Sequence, residues 1–347
     1  MQYLITKGIT KFLLFISFSM LISCASQEIR PPEDKKFNSV DNNAQHVVKG
    51  LPADIWQRLF SLYQLPVIEN DRIQAEIDHY SKHPEYFARI QKNAAPYLYY
   101  IVNEVEKHNM PGEIALLPVV ESAFRPFAYS HGRAAGLWQF IPSTGKYFGL
   151  KQTWWYDGRR DVVASTDAAL TYLNRLSTRF DDDWLLALAA YNAGGGTISK
   201  AIKHNKSRGK KTDYWSLKIR KETHHYVPKL IAIAHILANA EQYNITLLPI
   251  PNEPYFEKVD ITKQIDLARA AQLADISIDD IYQLNPATNQ WATDPQGPHY
   301  LLVPVTQADT FKQKLSALPD SQRLRWQRHK VQSGETLSQI ARKYRTS

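Results

Sequence analysis

The segment PVVESAFRPFAYSHGRAAGLWQF, residues 118–140, contains a single acid, Glu121, which directly follows the apolar run IALLPVV. The next acid along the chain is Asp157. A carboxylate among apolar side chains is disfavoured in its charged form, so its pKa rises and it holds a proton near neutral pH. We therefore expect Glu121 to be suited to donating a proton, as a general acid does.

The sequence around this segment predicts a mainly α fold. Over residues 51–247 apolar residues recur at steps of three and four, which is typical of amphipathic helices. One helix is expected to begin near Asp161 or Thr166, and another to run from Trp184 to the glycine triplet at 194–196. A further helix is expected to start close to Pro228, because proline fits the first turn of a helix.

The N-terminus has the pattern of an export signal. Lys7 and Lys11 precede FLLFISFSMLIS, an apolar run too short to cross a membrane comfortably, which predicts a signal peptide over residues 1–23. The run ends LISC at residues 21–24, and this resembles the bacterial lipobox, so we expect lipidation at Cys24. The polar residues 24–50 are expected to be a flexible tether.

Cys24 is the only cysteine, so the chain cannot form an internal disulfide. A lipid anchor explains a lone cysteine at this position better than a buried thiol does. The next residue is Ala25 rather than the aspartate associated with retention in the inner membrane. The resemblance therefore favours an outer-membrane lipoprotein that faces the periplasm of a Gram-negative bacterium.

The length and charge limit the function classes. The chain has 347 residues, enough for about two domains, and a formal net charge of +8. An exported basic protein meets anionic envelope polymers such as the cell wall rather than nucleic acid, and no nucleic-acid motif is present. The adjacent His224 and His225 point in different directions on a helix and have no third ligand at metal-binding spacing, so we expect no metal and no cofactor.

Three segments together resemble the lysozyme-like domain of the family 1 lytic transglycosylases. They are the stretch from ESAF to FGL at residues 121–150, AAYNAGGG at 189–196 and ETHHYVPKL at 222–230. Each motif alone is weak, but the three in this order are specific. The resemblance implies a lysozyme-like catalytic domain, with its core at residues 96–240, within the helical region 51–247.

The family reaction needs only one carboxyl group. The resemblance implies that Glu121 first gives a proton to the glycosidic oxygen between N-acetylmuramic acid and N-acetylglucosamine of peptidoglycan. Glu121 then takes a proton from the muramic acid 6-hydroxyl, which leaves a 1,6-anhydro sugar. A hydrolase would normally use two carboxyl groups, and Glu222 is the only acid we retain as a possible second one.

The resemblance also assigns substrate-binding positions. Ser130 and Gln139 are expected to form hydrogen bonds with the sugar near the scissile linkage, and Asn192 is expected to line the glycan groove. Tyr191 is expected to orient the catalytic carboxyl group, and Tyr226 to close the cleft. Ser122 is expected to be structural.

Past a breaker at 248–254, residues 255–306 show the order strand, helix, helix, strand, which resembles a LysM module without its usual signature. Residues 307–328 are expected to be a linker. Residues 329–347 contain VQSGETLSQIA and resemble the start of a second LysM domain more closely. The expected architecture is thus a helical catalytic domain followed by small α/β LysM-like modules.

Two other functions remain open. A muramidase of the goose-lysozyme type would share this fold type and use water to cleave the glycan. A non-catalytic peptidoglycan-binding lipoprotein would only hold glycan strands, although such a module has no need for an acid in an apolar pocket.

Overall fold

Helices make up most of the computed structural model, which describes residues 53–66, 68–324 and 331–344. The expected signal peptide 1–23, the lipidation site Cys24 and the tether 24–50 lie outside the described residues. The α-helices are α1 Ile55–Ser61, α2 Asp71–Tyr80, α3 Pro84–Ala94, α4 Leu98–Lys107, α5 Leu117–Ser122, α6 Pro142–Tyr147, α7 Val162–Arg179, α8 Trp184–Ala193, α9 Gly195–Lys206, α10 Lys221–Ala238, α11 Leu267–Ala274, α12 Ile278–Leu284, α13 Val305–Ser316 and α14 Leu337–Tyr344. Short 3₁₀ helices lie at Gly112–Leu116, Tyr214–Ser216, Ala240–Tyr243 and Asp320–Gln322.

Helix α8 lies at the centre of the helical region. Its residues 185–190 are all buried, as expected for a helix that is apolar on every side. The Asp183 carboxylate caps its first turn by accepting from the Leu186 N–H at 3.0 Å. The Asp161 carboxylate caps α7 in the same way, through the Ala164 N–H at 2.8 Å. Helix α8 therefore begins at the expected residue, and α7 begins at the earlier of its two expected starts, after Asp161 rather than at Thr166.

The expectation for Pro228 is wrong, because this proline lies inside α10 rather than near its start. Proline has no N–H to donate to the carbonyl of His224, four residues earlier. The buried Tyr214 hydroxyl lies 3.0 Å from the His224 carbonyl oxygen and can donate to it instead. Since the helix continues through the proline, its first two turns carry Tyr226 over α5, against which α10 packs.

A small α/β unit follows the helical region. Strands β1 Phe256–Asp260 and β2 Tyr300–Pro304 pair antiparallel, with Phe256 opposite Pro304 and Asp260 opposite Tyr300. Helices α11 and α12 connect them, which is the order expected from the sequence. The first part of the segment 307–328, expected to be a linker, belongs to α13 up to Ser316. Phe311 and Leu315 of this helix are buried in the same apolar cluster as the sheet.

The α/β unit is docked onto the helical region through backbone and buried side chains. The Asp157 N–H donates to the Ala287 carbonyl, and the Asn289 N–H donates to the Trp155 carbonyl, both at 2.8 Å. The buried Asp161 carboxylate accepts from the hydroxyls of Tyr156 at 2.9 Å and Tyr300 at 2.7 Å. The cap of α7 therefore also joins the two parts of the fold.

In residues 331–344, helix α14 begins with a capping box. The Thr336 N–H donates to the Gln339 side-chain oxygen at 2.9 Å, and the Gln339 N–H donates to the Thr336 hydroxyl at 3.3 Å. Within the described ranges, none of the helices is long and apolar enough to cross a membrane.

Candidate active site

Glu121 stands in the last turn of α5, where the chain turns sharply away. The two residues after Ser122 both have left-handed backbone conformations, with φ of 52° at Ala123 and 55° at Phe124. Two such residues in succession are strained, and strain of this kind occurs mainly at functional sites. Ser122 holds the turn, since its hydroxyl lies 2.9 Å from the Leu137 carbonyl oxygen and 3.1 Å from that of Pro118. The expected structural role of Ser122 matches these contacts.

Glu121 as a whole residue is partly exposed, and its carboxyl group accepts a hydrogen bond from the Tyr226 hydroxyl. The pKa of Glu121 is raised from 4.5 to about 7 as the net result of four effects, of which burial raises it most. The Tyr226 hydrogen bond and the nearby charge of Lys229 lower this pKa, and the charge of Glu222 raises it further. Burial is the largest of these effects, as the apolar run before Glu121 predicts.

The two tyrosines of the site have different contacts from those expected. The Tyr226 hydroxyl, expected to close the cleft, contacts the carboxyl group directly. The Tyr191 hydroxyl, expected to orient that group, donates to the Trp138 carbonyl at 2.9 Å. Tyr191 is still close enough to Glu121 to sense its charge. Burial raises the pKa of Tyr191, and the Glu121 charge raises it further. Glu121, Tyr191 and Tyr226 therefore form one cluster.

Ser130 and Gln139 lie on a folded loop that packs beside α5. The Ser130 hydroxyl accepts from the Ala134 N–H at 3.0 Å and closes a tight turn. The Gln139 side-chain N–H₂ donates to the Gly136 carbonyl at 2.8 Å, while Gln139 has a left-handed φ of 50°. These bonds hold the Gln139 amide by its nitrogen, so its oxygen is the part left to accept from a ligand hydroxyl.

A buried ion pair holds this loop in place through hydrogen bonds to its backbone. Arg159 binds Asp157 in a bidentate manner, through Nε at 2.9 Å and Nη2 at 2.7 Å. The same guanidinium donates to the carbonyls of Arg133 at 2.6 Å and Phe140 at 3.2 Å. Gly136 has a φ of 81°, and a Cβ there would lie 2.0 Å from the Arg159 carbonyl oxygen. The pair and the close approach thus set the position of Gln139.

Asn192 joins α8 to the first turn of α10. Its side-chain oxygen accepts from the Thr223 hydroxyl at 2.7 Å, and its side-chain nitrogen lies 3.5 Å from Glu222. The buried Thr223 was missed by sequence reasoning, because its partner lies 31 residues away. The position of Thr223 between Glu222 and His224 in the ETHHYV motif is the only local signal that could have pointed to it.

The histidine pair of α10 faces α2 rather than a metal site. His225 Nδ1 lies 2.8 Å from Glu76, and His224 Nδ1 lies 3.0 Å from the Arg72 guanidinium. Burial and the charge of Arg72 lower the pKa of His224. In the part of the chain that the structure describes, three or more His, Cys, Asp or Glu side chains do not come together as a metal site would require.

Family models match three parts of the chain. Residues 99–214 match the transglycosylase SLT domain, residues 255–320 match the LysM-like domain of lytic transglycosylase MltD, and residues 329–347 match the LysM domain. The first range contains every expected site residue except Cys24, Tyr226 and Glu222, the possible second carboxyl group.

One known protein resembles the chain over most of its length, and another over a third of it. The membrane-bound lytic murein transglycosylase D of Escherichia coli is 42% identical over 298 residues, which are 83% of this chain and 66% of that protein. The chain thus spans just under two thirds of the length of this relative. A putative tributyltin chloride resistance protein of an Alteromonas species is 53% identical over 115 residues, 33% of this chain and 56% of that protein.

The X-ray structure of an inactive mutant of the lytic transglycosylase Slt from Pseudomonas aeruginosa covers 56% of this chain and 33% of its own, at 21% identity and a TM-score of 0.33. The matched domains and their order carry the classification. The chain belongs to the SLT-domain lytic transglycosylases, with an MltD-type LysM-like domain after the SLT domain.

Proposed function

We propose that this protein is a lytic transglycosylase that cleaves the MurNAc-β-1,4-GlcNAc bond of peptidoglycan and leaves 1,6-anhydro-MurNAc ends, for remodelling and turnover of the cell wall. The SLT domain and the similarity to a lytic murein transglycosylase support the activity, and the LysM match supports a glycan substrate. No cofactor is needed for this chemistry.

The observation that carries the proposal is the state of one carboxyl group. Glu121 has a pKa of about 7, so near neutral pH its acid and base forms are both well populated. A group that must first give a proton and then take one back works best when its pKa is close to the working pH. Such a group typically contributes about 10²- to 10⁴-fold to a rate.

Tyr226 has a defined part in this cycle. When Glu121 has given its proton to the glycosidic oxygen, the carboxylate that remains accepts a hydrogen bond from the Tyr226 hydroxyl. A hydrogen bond to the charged form favours that form. The same carboxylate then takes the proton of the substrate 6-hydroxyl as that oxygen closes on the anomeric carbon, and Glu121 returns to its acid form.

The remaining site residues act on binding. Gln139 offers its side-chain oxygen, and Ser130 its hydroxyl, to sugar groups near the scissile bond. Asn192, held by Thr223, lines the groove. Tyr191 is a positioning residue, because its hydroxyl holds the Trp138 carbonyl and thereby the backbone next to Gln139.

The goose-type muramidase alternative has one observation in its favour, the charge of Glu222 close enough to raise the pKa of Glu121. Mass spectrometry of the fragments that the purified protein releases from sacculi separates the two reactions. Anhydro-muramic acid ends support transglycosylation, and reducing muramic acid ends would establish hydrolysis. In the second case Glu222→Gln should abolish cleavage, whereas a transglycosylase should retain it.

The non-catalytic alternative is tested with Glu121→Gln. This variant should lose sacculus digestion but still co-sediment with sacculi, because the amide keeps the shape of the carboxyl group and cannot exchange a proton. If the unsubstituted protein binds sacculi and releases no fragments, the chain is a binding lipoprotein.

We also propose that the protein is attached to the periplasmic face of the outer membrane through a lipid on Cys24. The lipobox-like LISC sequence and the similarity to a membrane-bound relative support a place in the cell envelope. Radiolabelled palmitate should be incorporated by the native chain and not by Cys24→Ala, and the label should sediment with outer-membrane fractions.

A further inference from the structure

A surface cavity of about 450 Å³ lies between α6 and α7, outside the cluster around Glu121. Arg175 and Arg179 project into it from α7, four residues apart and so on one face of the helix. Tyr147, Phe148 and Tyr172 supply its aromatic wall. None of the residues that line this Arg175–Arg179 cavity is acidic.

Both guanidinium groups are held by neutral partners. Arg175 lies over the Phe148 ring at 5.2 Å and the Tyr147 ring at 5.9 Å. Arg179 donates from Nε to the Ser199 hydroxyl at 3.2 Å. In the described residues neither arginine forms an ion pair with a carboxylate. The cavity therefore holds two oriented positive charges that no acid of the described chain neutralises.

The cavity adjoins the candidate active site through its aromatic wall. The Phe148 and Tyr172 rings lie 4.9 Å apart, and the Tyr172 and Tyr191 rings lie 5.4 Å apart. On the other side, a Cβ on Gly195 would lie 3.2 Å from Arg179 Nη1, so the glycine triplet after Asn192 runs against this arginine. A ligand in the cavity would thus be next to a substrate bound at Glu121.

The chemistry of the cavity selects an anion on an organic chain. Arginine pairs its planar, forked donors with carboxylate oxygens in a bidentate manner. The exposed Tyr147 ring beside it can pack against aliphatic or amide groups. The sugar hydroxyls of a glycan strand carry no charge and do not need two cations.

We propose that the Arg175–Arg179 cavity binds a carboxylate of the stem peptide that hangs from a muramic acid of the substrate. The proposal rests on the proposed function and extends it, since it makes the enzyme selective for glycan that still bears peptide. The bound peptide holds the strand beside the cleft, from which the cavity is separated by the Tyr172 ring. This contact lowers KM and takes no part in proton transfer.

The test compares two substrates made from the same sacculi. One is intact solubilised peptidoglycan. The other is the same glycan stripped of peptide by an N-acetylmuramyl-L-alanine amidase, with the lactyl carboxyl groups that this cleavage exposes converted to methylamides so that they carry no charge. Initial rates of anhydro-end formation give kcat and KM for each. For the double variant Arg175→Ala and Arg179→Ala we expect KM on peptide-bearing strands to rise about tenfold, as the loss of two partly screened charged contacts implies. The KM of this variant on stripped strands should match that of the unsubstituted protein.

Arg208→Ala is the matched control. Arg208 is an exposed arginine in the basic run at 203–211, remote in sequence from the cavity. It should leave both KM values unchanged, and Arg175→Lys should recover part of the loss because it keeps the charge. Circular dichroism of each variant verifies folding, and the single variants replace the double one if that one is unfolded.

Three results overturn the proposal. They are an equal rise of KM on both substrates, no rise on either, and a rise caused by Arg208→Ala instead. An effect on peptide-bearing strands that persists after their peptide carboxylates are chemically amidated would assign the cavity to another anion. If the unsubstituted protein makes no anhydro ends from either substrate, the proposed function has failed rather than the cavity assignment.

Discussion

The Tyr226 hydroxyl donates a hydrogen bond to Glu121, although the two residues are 105 positions apart. The contact exists because α10 runs through Pro228 without breaking and packs against α5. Of the two site tyrosines, Tyr226 is therefore the one whose hydrogen bond lowers the pKa of the carboxyl group.

Replacing Tyr226 by phenylalanine should change the pH dependence of the reaction. The hydrogen bond lowers the pKa of Glu121, so its loss raises that pKa above about 7. Because the reaction begins with protonated Glu121, the high-pH limb of kcat against pH should move to higher pH. We expect kcat at neutral pH to fall about tenfold, the scale of a lost hydrogen bond to a charged group.

Tyr191→Phe is the comparison for this measurement. The Tyr191 hydroxyl contacts the Trp138 carbonyl rather than the carboxyl group. The variant can therefore lose activity, but the midpoint of the high-pH limb of its kcat profile should equal that of the unsubstituted protein. If Tyr191→Phe shifts this midpoint and Tyr226→Phe does not, then Tyr191 rather than Tyr226 controls the pKa of Glu121.

Glu121→Gln should make the protein more stable at alkaline pH. The folded-state pKa of Glu121 is raised from 4.5 to about 7. Between these two values the unfolded chain loses the proton while the folded chain keeps it, so the free energy of unfolding falls as pH rises. At 1.36 kcal/mol per pKa unit the cost above pH 7 is about 3 kcal/mol, and glutamine avoids it.

Urea unfolding of the two proteins at pH 4.5 and pH 8 measures this cost. The two free energies of unfolding should be nearly equal at pH 4.5, and that of the variant should be the larger at pH 8. Equal stability at both values would mean that the carboxyl group is better solvated than its surroundings indicate.

Tyr300→Phe should loosen the attachment of the α/β unit. The Tyr300 hydroxyl donates a hydrogen bond to the buried Asp161 carboxylate across the junction, whereas the second donor to this carboxylate, the Tyr156 hydroxyl, lies on the same side as Asp161. Its removal should lower the free energy of unfolding by about 1.5–3 kcal/mol, the range for a hydrogen bond to a charged group. Tyr129→Phe is the control, since Tyr129 is 55% exposed, and it should change stability very little.

The parts of this structure that the sequence predicts are those set by local patterns. The apolar run before Glu121 predicts its raised pKa, and the periodicity of the apolar residues predicts helices that begin near Asp161 and at Trp184. The contact of Tyr226 with Glu121 could not be predicted, because it depends on how two helices pack. The junction around Asp157 could not be predicted either, because it is made by backbone groups that every residue possesses.

Two glycines provide a last, matched prediction about the loop that carries Gln139. Gly136 and Gly149 have nearly the same left-handed φ, 81° and 79°, so alanine costs each the same backbone strain of about 1–2 kcal/mol. At Gly149 a Cβ meets nothing within 4 Å, whereas at Gly136 it meets the Arg159 carbonyl oxygen at 2.0 Å. Gly136→Ala must therefore push the loop away from the Asp157–Arg159 pair and displace Gln139.

We expect Gly149→Ala to lower the melting temperature slightly and to keep activity, and Gly136→Ala to lose most activity in whatever fraction folds. Adding Arg159→Ala to Gly136→Ala should not restore activity, because the clash is with the backbone. Similar behaviour of the two glycine variants would show that the loop tolerates displacement and that the position of Gln139 is not set by this close approach.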